Sequence, residues 1–241
     1  MRLRLLSLLA ILLFMAGVLS QLALSGGVVW AEVEASSYET ETTGGGLSLD
    51  CPLLLSASES GMITTSITNT LDQSALPTIT TDISTADGMK NQKQTLSFAP
   101  HETRSLQWPV NNLNVIFGRL ILVNVMQGRY GDLASNSSFC GILVFSLFNL
   151  TGGQSLVLVF VGSLFLILAS GILWQGTHAP HETSPDQTLK ACGGLAGVST
   201  LALLTALPRW WGLTLFLDAF ALIMLTVILT ELLLFPRSNK S

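Results

Sequence analysis

Three long apolar runs in its C-terminal part constrain this chain more than any other feature. Ser155–Trp174 is 20 residues without a charge, Ala191–Pro208 is 18 residues rich in Gly and Ala, and Leu213–Phe235 is 23 residues. At about 1.5 Å of helical rise per residue, each covers roughly the 30 Å hydrocarbon core of a bilayer. A buried helix of a soluble protein seldom runs so far with so few charges, so these runs are expected to be transmembrane helices. A fourth candidate lies at the N-terminus, where Arg2 and Arg4 precede an apolar run from Leu5 to Leu19. That is the layout of a secretory signal, and Val29 and Ala31 satisfy the small-residue rule before a cut. An uncleaved anchor from about Leu5 to Leu24, with Trp30 at the outer interface, fits the same residues. Residues 1–31 therefore read as a signal peptide or a signal anchor, and the chain as having three or four spans.

The remainder has a different composition. Only 11% of all residues are charged, against about 25% in ordinary soluble domains. The deficit is concentrated from Phe139 to Phe235, where the charges are Glu182, Asp186, Lys190, Arg209, Asp218 and Glu231. From Glu32 to Ser138 the chain resembles a polar secreted domain. Residues 32–46, with four acids and a terminal Gly-Gly-Gly, read as a flexible tether. This gives four parts: 1–31, the acidic linker 32–46, a soluble domain 47–150 and a helical membrane domain 151–241. The net charge of −4 gives no reason to expect nucleic acid.

Within the soluble part, Ile63, Thr65 and Ile67 alternate with polar neighbours, as do Ile79, Thr81 and Ile83, and Leu106, Trp108 and Val110. A period of two in runs rich in Thr, Ile and Val marks half-buried strands. Seven candidates follow: 47–55, 60–70, 76–84, 93–98, 103–110, 116–127 and 138–147, separated by turns such as Asp87-Gly88 and Asn111-Asn112. Seven short strands in about 100 residues fit a Greek-key β-sandwich. The fold class expected is thus α+β, a seven-strand extracytoplasmic sandwich on three or four transmembrane helices. The stretch Leu96–Val110, LSFAPHETRSLQWPV, resembles a strand–turn–strand corner of bacterial immunoglobulin-like and fibronectin-like domains. In that resemblance a Pro-containing turn leads into a strand with a buried aromatic, here Trp108. It implies a fold and no activity. Cys51 and Cys140 fall in the first and last of these strands, and an oxidising compartment would let them pair. The alternative is two unpaired buried cysteines.

Orientation follows from basic residues near the membrane. Arg2 and Arg4 precede the first span, and Arg237 and Lys240 follow the last. With four spans both ends lie on one side, and the positive-inside rule makes that side the cytoplasm. The expected location is the plasma membrane, with the β domain outside and residues 175–190 in an inner loop. Trp30, Trp174, Trp210 and Trp211 fall at the predicted boundaries, where an aromatic belt belongs.

Several residues invite a chemical reading. Asp218 lies within a span, and an intramembrane carboxylate usually has a partner. Arg209, across the turn Arg209-Trp210-Trp211-Gly212, is the nearest candidate. The two could form a proton or ion relay, a contact to another subunit, or a structural pair fixing the hairpin. Gly193, Gly194 and Gly197 make one helix surface smooth, for packing inside the protein or against a partner's helix. Glu231 reads as an interfacial carboxylate. His178, His181 and Glu182 gather two imidazoles and a carboxylate, but Pro180 interrupts any regular helix through them, so no metal is expected. No Walker loop, dinucleotide fingerprint, HExxH or Gly-x-Ser-x-Gly motif is present, so no cofactor is expected either. The expected function is a non-catalytic accessory or scaffolding subunit, or an extracytoplasmic binding module, whose partners are the lipid bilayer and other membrane protein subunits. The alternatives are a small ion or proton transporter using Asp218, and an ectodomain sensor acting through a partner.

Overall fold

The structure, a computed structural model, describes residues 2–37, 46–177 and 185–234. The chain is α+β, with two β-sheets and apolar helices long enough to cross a membrane. It divides into a helical unit, 1–29 with 157–241, and a β unit, 30–156.

Among the described residues of the β unit, eight strands form two sheets: β1 (Leu47–Asp50), β2 (Leu54–Leu55), β3 (Gly61–Thr68), β4 (Thr78–Thr85), β5 (Gly88–Thr95), β6 (Thr103–Val110), β7 (Leu120–Gln127) and β8 (Asn136–Val144). One sheet has the order β1-β3-β6 and the other β2-β8-β7-β4-β5. The strand expected over 47–55 is two. β1 pairs antiparallel with β3 in one sheet, and β2 pairs parallel with β8 in the other. Pro52, which has no N–H to give a ladder, stands between them. The strand expected at 93–98 runs instead from 88 to 95, in register with β4 from Thr78↔Thr95 to Thr85↔Gly88. Its sequence, GMKNQKQT, has no apolar alternation, and almost every residue is exposed. Pairing at the sheet edge, not burial, makes it a strand. Its lysines also discourage edge-to-edge association with another chain.

The alternating residues point into one core shared by both sheets. Ile63, Ile67, Trp108 and Val110 from the first sheet meet Ile79, Ile83, Ile121, Val123, Val125 and Ile142 from the second. Phe98 is buried beside them, and the Arg104 guanidinium stands 5.5 Å above its ring. The outer face of the second sheet is covered at β8. A Cβ at Gly141 of β8 would run into the Ala31 carbonyl, so the last turns of α1 (Arg2–Ser36) lie against that strand. Ala31, Glu32 and Ala35 are buried there. The helix thus continues through Ser36, beyond the start of the expected tether. Its acids resemble a linker in sequence, but the small residues Ala31 and Ala35, one turn apart, give it a surface to pack with. Residues 38–45, the rest of that linker, lie outside the described residues.

The helical unit holds most of α1 with α2 (Gly152–Thr177), α3 (Pro185–Ala206) and α4 (Trp211–Leu234). Among the described residues three helices are long and apolar enough to cross a membrane: Leu5–Ser36, Gly152–Gly176 and Trp211–Thr230. Among the described residues the apolar part of α3, Lys190–Ala206, is shorter than these. Val18 and Leu22 of α1 meet Leu195 of α3 and Ala221 and Leu225 of α4 in a small core. Large apolar residues face outward instead. On α2, Val157, Val161, Phe165, Leu168 and Ile172 repeat at helical spacing along one exposed face. The polar residues Gln21, Ser25, Ser163, Ser199, Thr214 and Asp218 are buried. Apolar outside and polar inside suits helices in lipid.

Candidate functional site

The polar interior of the helical unit is organised by α1. Gln21 is fully buried and reaches two neighbouring helices. Its Nε2 donates to Ser163 Oγ of α2 at 3.0 Å. Its Oε1 accepts from Ser199 Oγ at 2.8 Å and Thr200 Oγ1 at 3.3 Å, both on α3. One turn along, Ser25 stands 2.8 Å from Asp218 Oδ1 on α4. The same hydroxyl is 3.0 Å from the Gln21 carbonyl, so its single proton has two good acceptors. Thr205 and Thr214 add a hydroxyl pair at 3.0 Å between α3 and α4. One turn before Gln21 is Gly17. A Cβ there would press on Ile167 Cγ1 and the Ser163 carbonyl at 2.8 and 2.9 Å, so the α1–α2 crossing depends on the missing side chain.

Asp218 therefore does not form the pair expected with Arg209. Its Oδ1 takes the Ser25 hydroxyl, and its Oδ2, also buried, receives no hydrogen bond. The reason is its place on α4, seven residues past Trp211, on the face that packs against α1. Arg209 has a backbone role. With φ +60° it occupies the left-handed position after α3, and Arg209 N and Trp210 N close on the carbonyls of Ala206 and Thr205. This is the Schellman ending that glycine usually provides.

The three glycines of α3 differ. Gly194 would place a Cβ 3.5 Å from Met224 Cε of α4, an ordinary contact, while Gly193 and Gly197 meet nothing within 4 Å. Gly193 borders an apolar cavity of about 320 Å³, with Phe14, Ile167, Trp174, Cys192 and Leu225 among its other walls. The cavity is lined by the first half of α1, the end of α2, the start of α3 and the end of α4, so successive helices run antiparallel. His178, His181, Glu182, Arg237 and Lys240 lie outside the described residues, as does the side chain of Glu231. Among the described residues no three His, Cys, Asp or Glu side chains gather where they could hold a metal ion.

In the β unit Cys51 and Cys140 are joined as a disulfide, with Cα atoms 6.6 Å apart. It ties the segment between β1 and β2 to β8. Near it, the first residues of α2, themselves part of the β unit, are capped. Glu59 Oε2 accepts from Gly152 N at 2.7 Å and from Ser56 N at 3.0 Å, placing a carboxylate on the helix N-terminus. Thr151 and Gln154 complete a reciprocal cap, Thr151 N donating to Gln154 Oε1 and Gln154 N to Thr151 Oγ1. Sequence reading missed Gln21, Ser25, Gly17 and Glu59. The available signal was an amide, a hydroxyl and a glycine four residues apart inside an apolar run.

No family model matches this chain, and no curated protein does. Among solved structures, the CARDB domain of a Pyrococcus furiosus protein, in complex with di-metal ions, is similar at 11% identity and a TM-score of 0.33. That match covers 46% of this chain and 97% of that one. A Bacteroides uniformis β-glucuronidase is similar at 18% identity and a TM-score of 0.30, over 41% of this chain and 13% of the enzyme. A Paenibacillus cycloisomaltooligosaccharide glucanotransferase gives 19% and 0.32, over 43% of this chain and 14% of the enzyme. Likenesses this slight carry nothing over to this chain's activity.

Proposed function

We propose that the chain is a non-catalytic, multi-pass plasma-membrane protein, an accessory or scaffolding subunit or surface binding module of a larger membrane complex. The observation that carries this reading is the open side of α3. Gly197 is exposed and a Cβ there would meet no described atom within 4 Å, and a glycine on a helix surface in lipid lets a second helix approach closely. The polar groups of Gln21, Ser163 and Ser199 are meanwhile satisfied by one another, as in a supporting scaffold.

The strand order supports an immunoglobulin-like reading of the β unit. With β1 and β2 counted as one divided strand, the described strands number seven, as in a constant-type immunoglobulin sandwich, with the fourth edge strand, β5, on the β8-β7-β4 sheet instead of the β1-β3-β6 sheet. That fold presents surfaces and loops without prescribing chemistry. The disulfide supports an oxidising, extracytoplasmic location for this unit. The antiparallel helices, with basic residues near both ends of the chain, support cytoplasmic termini. The test is affinity purification from native membranes in mild detergent, with wild type and Gly197→Leu compared. The reading expects a stoichiometric membrane partner that the variant loses while its own melting is unchanged. A monomer without any partner contradicts it.

One observation favours a second reading, a small ion or proton transporter: the buried Asp218 Oδ2 without a hydrogen bond. Asp218→Asn should then abolish flux in vesicles and leave assembly intact. Unchanged flux removes this reading.

A further inference from the structure

One end of the β unit carries a cluster of exposed apolar residues on strained turns. Chain connections define that end. Leu120 pairs with Leu143, Val144 N donates to the Arg119 carbonyl, and Phe145 N donates to the Leu55 carbonyl. The turn before β7 and the segment after β8 are therefore neighbours. The short 3-10 turn Asn112–Asn114 joins them through Ser84, whose Oγ donates to the Asn114 carbonyl and accepts from Leu122 N. The first turn of α2 lies at the same end, held by Glu59.

Two β-turns there share an uncommon design. In 116–119, Arg119 N closes on the Ile116 carbonyl, and Phe117 and Gly118 have φ of +53° and +71°. In 147–150, Leu150 N closes on the Leu147 carbonyl, and Phe148 and Asn149 have φ of +50° and +60°. Positive φ at both central residues is the type I′ pattern, whose first central position suits Asn, Asp or Gly. Phenylalanine there is strained, yet both turns have it, and both rings point to the outside. Phe148 is 84% exposed and Phe117 60%, with Leu113 at 80% and Phe145 at 41% beside them. In water such a patch is unfavourable. Arg119, exposed in the first of these turns, adds a positive charge, while Asp87 lies on the nearby β4–β5 turn.

We propose that this end of the β unit is a lipid-contacting surface, on which Phe117, Phe148 and Leu113 enter the interfacial layer of the bilayer and Arg119 meets lipid phosphate. The occupant follows from continuity. Residues 145–151 alone separate β8 from α2, so a bilayer crossed by α2 begins within a few residues of Phe148. Aromatic side chains favour that interfacial depth, and arginine beside it is attracted to anionic headgroups. The proposal rests on the membrane reading of α2, and its test separates the two.

Single cysteines at positions 117 and 148, in a Cys192→Ser background, would carry an environment-sensitive fluorophore. The full chain would be reconstituted in phosphatidylcholine–phosphatidylglycerol vesicles containing a nitroxide lipid quencher. Position 76 at the opposite end of the β unit serves as the water-exposed reference, and position 168 on the outward face of α2 as the inserted one. The expected result is quenching at 117 and 148 several-fold stronger than at 76, with emission shifted to the blue. Quenching at 168 with none at 117 or 148 overturns the proposal and leaves the membrane reading standing. Absence of quenching at 168 overturns both. Probes at 117 and 148 that are wet in vesicles and shielded in native membranes would assign the surface to a protein partner and overturn the lipid.

Discussion

Residue by residue, the most consequential side chain is Gln21, which joins α1 to two other helices through three hydrogen bonds. Bonds of this kind inside membrane proteins average about 0.6 kcal/mol and reach about 1.7. Gln21→Leu, which keeps the volume, is expected to cost roughly 1–2 kcal/mol in denaturation by detergent. No loss would mean the network does not hold the helices. Glu102, in the β unit, allows a prediction on pH. The Arg104 side chain, then the Ala99 amide, hold its carboxyl below the ordinary glutamate range. A carboxylate whose pKa folding lowers contributes its stabilisation fully above its unfolded value, about 4.3, and loses it as pH falls through the lowered one. The contact is exposed, so the effect is small. Glu102→Gln is expected to weaken the dependence of Trp108 fluorescence on pH below about 4.3, without changing it at neutrality. Residue identity alone did not reveal Gln21. Its meaning comes from Ser163 and Ser199, 142 and 178 positions away, and no local pattern brings those together.

Among the elements, the legible ones were those whose burial leaves a period. β3, β4 and β6 alternate along their length, and the alternating residues are the core. The sequence pattern starts β5 five residues late because its side chains face water and only the ladder to β4 defines it. The end of α1 reads as a tether in sequence because its packing partner, Gly141, lies more than a hundred positions away. The same holds for the start of α2, whose cap combines a local pair, Thr151 and Gln154, with a distant carboxylate, Glu59. Glu59→Ala should cost about 1 kcal/mol, the usual value of a lost cap. Hydrogen exchange at the first amides of α2 is the measurement, and faster exchange confined to 152–155 is the expected result. Unchanged exchange would show that the local pair alone caps the helix.

At the scale of the molecule, the disulfide is the main covalent restraint on the β unit. Cys51 and Cys140 are separated by 89 positions, and closing a loop of that size stabilises by about 4–5 kcal/mol in the chain-entropy model. The double variant Cys51→Ser with Cys140→Ser should lower the melting temperature of the β unit by many degrees, as followed by Trp108 fluorescence. An unchanged melting temperature would mean the bond is dispensable. The division into a β unit and a helical unit was legible from composition, since charge is sparse along one stretch and ordinary along the other. Whether the chain assembles with another protein was not, because a glycine facing open space specifies room and not a partner. If the chain is a subunit of something larger, native mass spectrometry after extraction in mild detergent will detect the assembly. The expected mass is well above the 25.7 kDa of one chain, resolving on activation into this chain and at least one different protein. A species made only of this chain and bound lipid would contradict the proposal.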